Sequence, residues 1–517
     1  MHRPADQDQR TIAERVVQLT RRARARRIVR SAWSGPVLVA SLVLLALMAT
    51  ASRYGYDRDE FYFIVAGGHP AAGYPDQPPL VPLVCWLMHS IAPGSLPMLR
   101  LPSALAASAT VLASAATARE VSKDAMAPLI AAAVAGVSAI SLATGHFVTT
   151  TTFDVLSTAL LGWLIVRVMM RRSRTALVVA GLVAGIGFEA KPQVGIAAIA
   201  LLAAVALVGP RWPLRSAQLA VGAGLAIALA APYLLWQLMH GWPQISVARN
   251  IGGDAEGGRA GFIPFQIVLV SPFLVPIIVA GLAVPWRLPA ARPLRPIPIA
   301  FGLLAVAYIV GNGKAYYLAS MYPTIIALGA VATASWISNG RQRLRHAALA
   351  AGVVAAGAVN ATIALPFLPP DRLDHSVTMG INPDLAEEIG WPDFVRSVSE
   401  AWHRIPVADQ TNAAIIANNY GEAGAIDVLG PGLGLPHAFS THNGYSLWGR
   451  PTDAQTPLIL TGFDEETVNQ HFSGCRTVAT VTNPDRVHNQ EYGGPIFACT
   501  GPTVAWSESW PRLRHFD

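Results

Sequence analysis

Charge is scarce in this chain. Only 13% of its 517 residues are Asp, Glu, Lys or Arg, against 52% hydrophobic, where ordinary globular chains carry roughly 25% charged residues. So few charges cannot cover a water-facing surface of this size. That excludes a soluble enzyme throughout, a disordered chain and a coiled coil. A glycine-rich phosphate loop following a strand is missing as well, and the lone cluster Gly430-Pro-Gly-Leu-Gly-Leu-Pro436 reads as a loop. No internal repeat relates two halves of the chain, as it often does in transporters. The first apolar stretch is too long for a cleaved signal peptide and lacks a small-residue cleavage site, so it reads as a retained anchor. Cysteine is rare, with three in all. Cys85 lies in a membrane-proximal segment. Cys475 and Cys499 either close a disulfide in an oxidising compartment or remain two unpaired buried thiols.

Long apolar runs are abundant. Eleven segments of a length suited to roughly 30 Å of hydrocarbon are read at 33–52, 100–118, 125–143, 153–170, 175–189, 193–208, 216–238, 262–284, 297–311, 317–337 and 346–367. Many hold some of the 39 prolines and 44 glycines, which membrane helices tolerate. Residues 79–93 carry three prolines and read as an interfacial or re-entrant segment. The expected fold is a polytopic α-helical membrane protein of about 11 to 13 spans with a C-terminal α/β domain outside the cytoplasm.

Charge separates the chain into two objects. Residues 1–368 hold 30 Lys+Arg against 13 Asp+Glu, net +17, and residues 369–517 hold 8 against 18, net −10. With the N-terminus in the cytoplasm, the inner side collects 23 basic residues and the outer loops seven. Alternate loops are therefore basic, as the positive-inside rule requires, and the basic charge belongs to topology, not to nucleic acid. Three regions follow: a basic cytoplasmic N-terminus 1–32, whose Arg21–Arg30 stretch suits anionic headgroups or serves as a plain orientation signal; a membrane domain 33–368; and an acidic external tail 369–517. The odd span count places the tail outside. In the tail, Ala413–Ala417, Pro457–Thr461 and Thr477–Val481 read as strands between Gly/Pro/Asn turns, and Glu387–His403 as a helix.

Carboxylates gather on the proposed outer side. Asp57, Asp59, Glu60 and Asp76 fall in the first outer loop, 53–78, beside two arginines and several tyrosines and phenylalanines. Ionisable groups near membrane depth read as functional by default, and carboxylates there suit a general base or a metal ligand. A solvated loop tip is the plain alternative. Asp154 opens the fourth span on the same side, where it would also interact with the helix macrodipole. Arg58, Arg100, Lys191 and Lys314 place cations at this face, fit either to hold a phosphate or to anchor helix ends by snorkelling. In the tail, Trp391, His442, Tyr445 and Trp448 are residues that stack on sugars or, alternatively, pack the tail against the membrane part.

Together these motifs resemble a known family. Asp59-Glu60-Phe-Tyr followed by Gly73-Tyr-Pro-Asp-Gln-Pro-Pro-Leu80 is similar to the first outer loop of glycosyltransferase family 39 and its relatives, the protein O-mannosyltransferases and lipid A aminoarabinose transferases of the C-type glycosyltransferase fold. Arg100-Leu-Pro-Ser-Ala-Leu, Phe153-Asp154, Lys314-Ala-Tyr-Tyr-Leu with Tyr322-Pro323, Tyr420-Gly-Glu-Ala-Gly-Ala, His442-Asn-Gly-Tyr-Ser-Leu-Trp-Gly and Trp510-Pro-Arg-Leu-Arg-His follow in family order. The resemblance implies a plasma-membrane transferase that takes its sugar from a polyprenyl-phosphate donor at the outer surface, for an acceptor that is a protein, a lipid or a cell-envelope glycan. It implies Asp59 as the base, with Glu60 and Asp154 orienting it or binding a divalent metal with it. Arg58, Arg100, Lys191 and Lys314 are then the donor-phosphate cations, and Asp76, Gln77, Tyr316 and Tyr317 substrate contacts. One position departs. The aminoarabinose transferases carry a lysine before the Pro-Pro pair, where this chain has Gln77. The competing reading is a transporter or lipid flippase, a class that rarely ends in a large external domain, and a structural scaffold leaves the clustered carboxylates without a role.

Overall fold

The computed structural model describes residues 33–253 and 258–517. The Arg21–Arg30 stretch lies outside the described residues.

The membrane domain is built from helices α1 (Trp33–Thr50), α2 (Arg58–Gly68), α3 (Leu80–Ile91), α4 (Leu96–Val121), α5 (Met126–Gly136), α6 (Ala139–His146), α7 (Thr150–Arg171), α8 (Thr175–Phe188), α9 (Gln193–Val208), α10 (Ala217–Met239), α11 (Pro243–Gly253), α12 (Gly258–Val270), α13 (Val275–Arg287), α14 (Pro296–Val310), α15 (Tyr322–Ser338) and α16 (Gln342–Ala364). Among the described residues, six helices are long and apolar enough to cross a membrane, or eight if each of two bent pairs counts as one span. That is fewer than the eleven segments read above, for two physical reasons. First, the segments at 125–143 and 262–284 are broken. α5 and α6 meet at 56°, and the α12–α13 pair bends by 80° at Ser271-Pro272, where Ser271 sits at φ 91°, a conformation rare outside glycine. Second, α8, α9 and α14 run only 14, 16 and 15 residues. At 1.5 Å per residue that is about 21–24 Å, short of roughly 30 Å of hydrocarbon. Within residues 79–93 lies the still shorter α3, of 12 residues.

Small residues let the spans approach closely, as is usual in membranes. A side chain on Gly181 of α8 would come within 2.0 Å of the Gly222 carbonyl of α10. The largest apolar core runs through α5, α7, α9, α13 and α15.

The tail carries α17 (Val377–Ile381), α18 (Trp391–Trp402), α19 (Val407–Gln410), α20 (Tyr420–Leu429), α21 (Glu465–His471) and α22 (Trp506–Leu513) around a five-stranded sheet. Strands β1 (Ala414–Ala417), β2 (Ala438–Ser440), β3 (Leu458–Thr461), β5 (Arg476–Thr480) and β6 (Pro495–Cys499) lie in the order β2-β1-β3-β6-β5, while β4 (Phe472–Ser473) pairs with β7 (Gly501–Pro502). β1 runs parallel to β2 and β3, and β6 antiparallel to β3 and β5. The three strands and the α18 helix expected from the sequence are present within one to four residues at each end. Cys475 and Cys499 are joined as a disulfide, and Cys85 is a buried thiol.

What positions the site is the seam between α2 and the tail. Phe61 and Tyr62 share one apolar core with Trp391, Phe394, Ile415 and Ile426. A side chain on Gly424 of α20 would meet the Phe61 Cβ at 2.8 Å, so the two helices touch backbone to backbone. Residues 53–78 are therefore a docking element, not a solvated connector.

Candidate active site

The local sequence Asp57-Arg-Asp-Glu60 dictates how the carboxylates face. Asp57 caps α2, accepting from the Asp59 amide at 2.8 Å, while the Glu60 carboxylate accepts from the Asp57 amide at 2.9 Å. This reciprocal capping box turns Glu60 inward and leaves Asp59 on the opposite side of the turn.

Glu60 is fully buried. Its Oε1 accepts from Arg100 Nε at 2.9 Å and from the Val148 amide at 3.0 Å, and its Oε2 accepts from Arg100 Nη2 at 2.8 Å. Arg100, 1% exposed, also donates to the Ala51 and Gly55 carbonyls at 3.0 and 2.8 Å and lies 3.2 Å from Glu388 of the tail. Its Nη1 meets His146 at 3.4 Å, and His146 reaches Glu388 at 3.1 Å. Every guanidinium hydrogen of Arg100 is thus spent inside the protein. Against the expected phosphate role of Arg100 and the expected orienting or metal role of Glu60 with Asp59 and Asp154, the guanidinium donors and both Glu60 oxygens are engaged within the protein. The pair bolts α2, α4 and the tail together.

Asp59 faces a cavity of about 490 Å³. Its charged and polar lining includes Asp57, Arg58, Asp59, Lys314, Tyr316, Asp384, Glu387, Tyr420 and Gln490. Apolar lining comes from Ala139, Ile140 and Ala143 of α6, Phe265, Val268 and Leu269 of α12, and Ile363 and Ala364 of α16. Tyr420 of the tail donates to Asp59 Oδ1 at 2.8 Å. Burial, then the neighbouring Asp59, pushes the Tyr420 phenol well above its usual value, so it stays a donor. The Arg58 guanidinium lies over the Tyr420 ring, 5.1 Å from its centroid, and bonds Gln490. Burial, then Asp59, Glu60 and Glu388, raises the Asp57 carboxyl well above the carboxylate range.

Lys191 and Asp154 stand behind the cavity wall. Lys191 donates to Thr151 Oγ1 at 2.7 Å and lies over the rings of Tyr316 and Tyr317, 5.4 and 4.9 Å from their centroids, and Thr151 and Tyr316 line the cavity. Asp154 is buried and accepts from Thr158 at 3.1 Å.

Asp76 and Gln77 lie elsewhere along the seam. Asp76 accepts from Tyr62 at 2.7 Å, and burial pushes its carboxyl up to about 7. Gln77 is 3% exposed, and its side-chain amide has no partner among the described residues. The aromatic tail residues mostly pack. Trp391 meets Phe61 edge-on at 5.4 Å, and Trp448 stacks on Tyr62 at 5.9 Å. Sequence reasoning missed Tyr420, Glu387, Glu388 and His146 as partners of the loop. The motif Tyr420-Gly-Glu and the acidic pair Glu387-Glu388 were visible, but nothing in the sequence says that they cross to α2.

Residues 76–236 match the protein family described as dolichyl-phosphate-mannose-protein mannosyltransferase. This match agrees with the resemblance to glycosyltransferase family 39 read from the first-loop motifs. No curated protein sequence matches the chain. Among solved structures, ArnT from Cupriavidus metallidurans in the apo state is similar at a TM-score of 0.60 and 14% identity, covering 91% of this chain and 98% of that one. The same protein bound to undecaprenyl phosphate is similar at a TM-score of 0.55 and 13% identity, covering 89% and 97%. At such identities the likeness is one of fold, the C-type glycosyltransferase fold. The chain is a multi-span membrane protein of that architecture.

Proposed function

We propose that the chain transfers a sugar from a polyprenyl-phosphate donor to a hydroxyl-bearing acceptor at the outer face of the plasma membrane. The observation that supports the reading is the cavity itself, whose lining combines the charged side chains of Arg58, Asp59 and Lys314 with apolar residues of α6, α12 and α16, the mixture a lipid phosphate demands. Asp59 is the base in this reading. It takes the proton of the acceptor hydroxyl as that oxygen attacks the anomeric carbon, and the phosphate departs with the electron pair of the broken bond. Lys314 and Arg58 at the cavity, with Lys191 behind Tyr316, balance the charge that develops on the phosphate. Tyr420 holds Asp59 in place. Asp154 acts through Lys191, and the buried Glu60–Arg100 pair keeps α2 in register. The similar ArnT structure bound to undecaprenyl phosphate supports a lipid-phosphate donor. Transfer of radiolabelled sugar from polyprenyl-phosphate donors by the purified protein tests the reading. Intact donor crossing the bilayer with no sugar transferred would favour the flippase.

Donor binding gives a second expected result. Lys314→Ala weakens polyprenyl-phosphate binding by about tenfold to a hundredfold, since a hydrogen bond to a charged group is worth about 1.5–3 kcal/mol. Arg295→Ala leaves it unchanged, because Arg295 lies against Trp286, away from the cavity. Equal affinities in a lipid-phosphate titration would remove Lys314 from the site.

Orientation is tested by impermeant thiol labelling of intact cells. In the proposed topology Thr456→Cys in the tail reacts from outside, and Ser338→Cys at the end of α15 does not; both positions are exposed. The Cys475–Cys499 disulfide supports an oxidising compartment for the tail. Labelling of Ser338→Cys from outside reverses the topology.

A further inference from the structure

Away from the cavity, the tail brings together three side chains that the transfer reading leaves without a role. His442, His515 and Asp517 each present one ligand atom, and these atoms all lie within 4.8 Å of one another, the single such His/Cys/Asp/Glu group among the described residues.

The backbone prepares this cluster. The His515 amide donates to the Thr441 carbonyl at 3.2 Å and the Asn443 amide to the His515 carbonyl at 3.0 Å, forming a parallel bridge between His442 and His515. The Asn443 side chain then closes both polar groups of the last residue, donating to the Asp517 carbonyl at 2.9 Å and accepting from its amide at 3.2 Å. Residues 515–517 are therefore laid against 441–443 in a fixed register.

The imidazoles are oriented too. The His442 ring packs between Tyr420 at 4.7 Å and His515 at 4.5 Å, centroid to centroid. It is 5% exposed, and its Nδ1 has no hydrogen-bond partner. His515 Nδ1 lies 3.1 Å from the Leu513 carbonyl. Donation there leaves Nε2 with its lone pair free, the arrangement by which outer hydrogen bonds prepare histidine ligands for metals. Asp517 contacts His442 Nε2. Two imidazoles and one carboxylate are borderline donors, suited to Zn²⁺ and unlike the all-oxygen sets that hold Ca²⁺ or Mg²⁺.

We propose that His442, His515 and Asp517 form a binding site for one divalent transition-metal ion of the Zn²⁺ type, which clasps the C-terminal segment onto the tail domain. The same segment receives a hydrogen bond from Asn250 of α11 at 2.6 Å, through the Phe516 carbonyl. The clasp thereby ties the outer end of the membrane domain to the tail. On its other side, His442 abuts Tyr420, the residue that holds Asp59. The site stands on its own geometry and holds whether or not the transferase reading does.

The test uses the full-length protein in detergent, stripped with chelator and titrated with Co²⁺ alone, read by visible absorption, and with Zn²⁺ in competition. One equivalent binds, with the d–d bands of nitrogen ligation. His515→Ala and Asp517→Asn, both on a surface segment, each weaken binding by more than about tenfold, the lower end of what disturbing even a site's outer partners costs. His488→Ala, an exposed histidine paired with Asp374, leaves it unchanged. The proposal is overturned if no stoichiometric binding is seen, if binding survives His515→Ala and Asp517→Asn, or if His488→Ala weakens it equally.

Discussion

Asp59→Asn lowers sugar transfer by about 10²–10⁴-fold, the usual cost of losing a general base, while donor binding and the melting temperature stay near those of the unaltered protein. The geometry explains this combination. Asn keeps the oxygen that accepts from Tyr420, and Asp59 takes no part in the Glu60–Arg100 network beneath it, so shape and docking survive while the basic oxygen is lost. Asp57→Asn is the contrasting variant. Its cap oxygen, which accepts from the Asp59 amide, is retained, so transfer falls much less. Initial rates with a fixed donor and acceptor read both. Near-normal rates in Asp59→Asn beside a collapse in Asp57→Asn would move the base two residues earlier.

The second large effect is on stability. Arg100→Ala destabilises the protein by about 3–5 kcal/mol, the cost of stranding a buried charge by removing its partner. Glu60 and Glu388 are both buried and both face Arg100, so two carboxylates lose their counter-charge together. α2, α4 and the tail should loosen as a unit, seen as a lower melting temperature and a lower folded yield in detergent. Lys314→Ala, at the rim of the cavity, should melt like the unaltered protein. If Arg100→Ala instead melts normally but binds donor weakly, Arg100 belongs to the phosphate site after all.

These two residues show where sequence reasoning reaches and where it stops. The Asp-Glu pair of the first outer loop is visible because carboxylates at an apolar boundary need a reason to be there. Which one faces the cavity is decided by the capping box at Asp57, a local pattern that a reader can find in Asp57-Arg-Asp-Glu60. The partner of Asp59 is not legible, because Tyr420 lies 361 positions away and only the docking of α20 against α2 brings them together. Arg100 reads equally well as a snorkelling anchor, a phosphate ligand or a buried counter-charge, since burial is a tertiary property. Hydropathy finds the apolar segments but not their breaks. Residues 125–143 look continuous, yet α5 ends at Gly136 and α6 restarts at Ala139 at an angle of 56°, which gives α6 the freedom to wall the cavity. Three of the tail strands, β1, β3 and β5, are legible because short β-rich runs between turn residues carry a local signal, while β2, β4, β6 and β7 are not.

The central claim is that the Asp59 cavity consumes a polyprenyl-phosphate sugar. Its most direct measurement places the purified protein in nanodiscs with a polyprenyl-phosphate donor, labelled in both lipid and sugar, and an extract of envelope acceptors. Sugar label is expected to pass to acceptor while polyprenyl phosphate is released in equal amount, and Asp59→Asn to bind the donor without releasing it. Donor that stays intact with the unaltered protein, or that is consumed equally by Asp59→Asn, would contradict the claim.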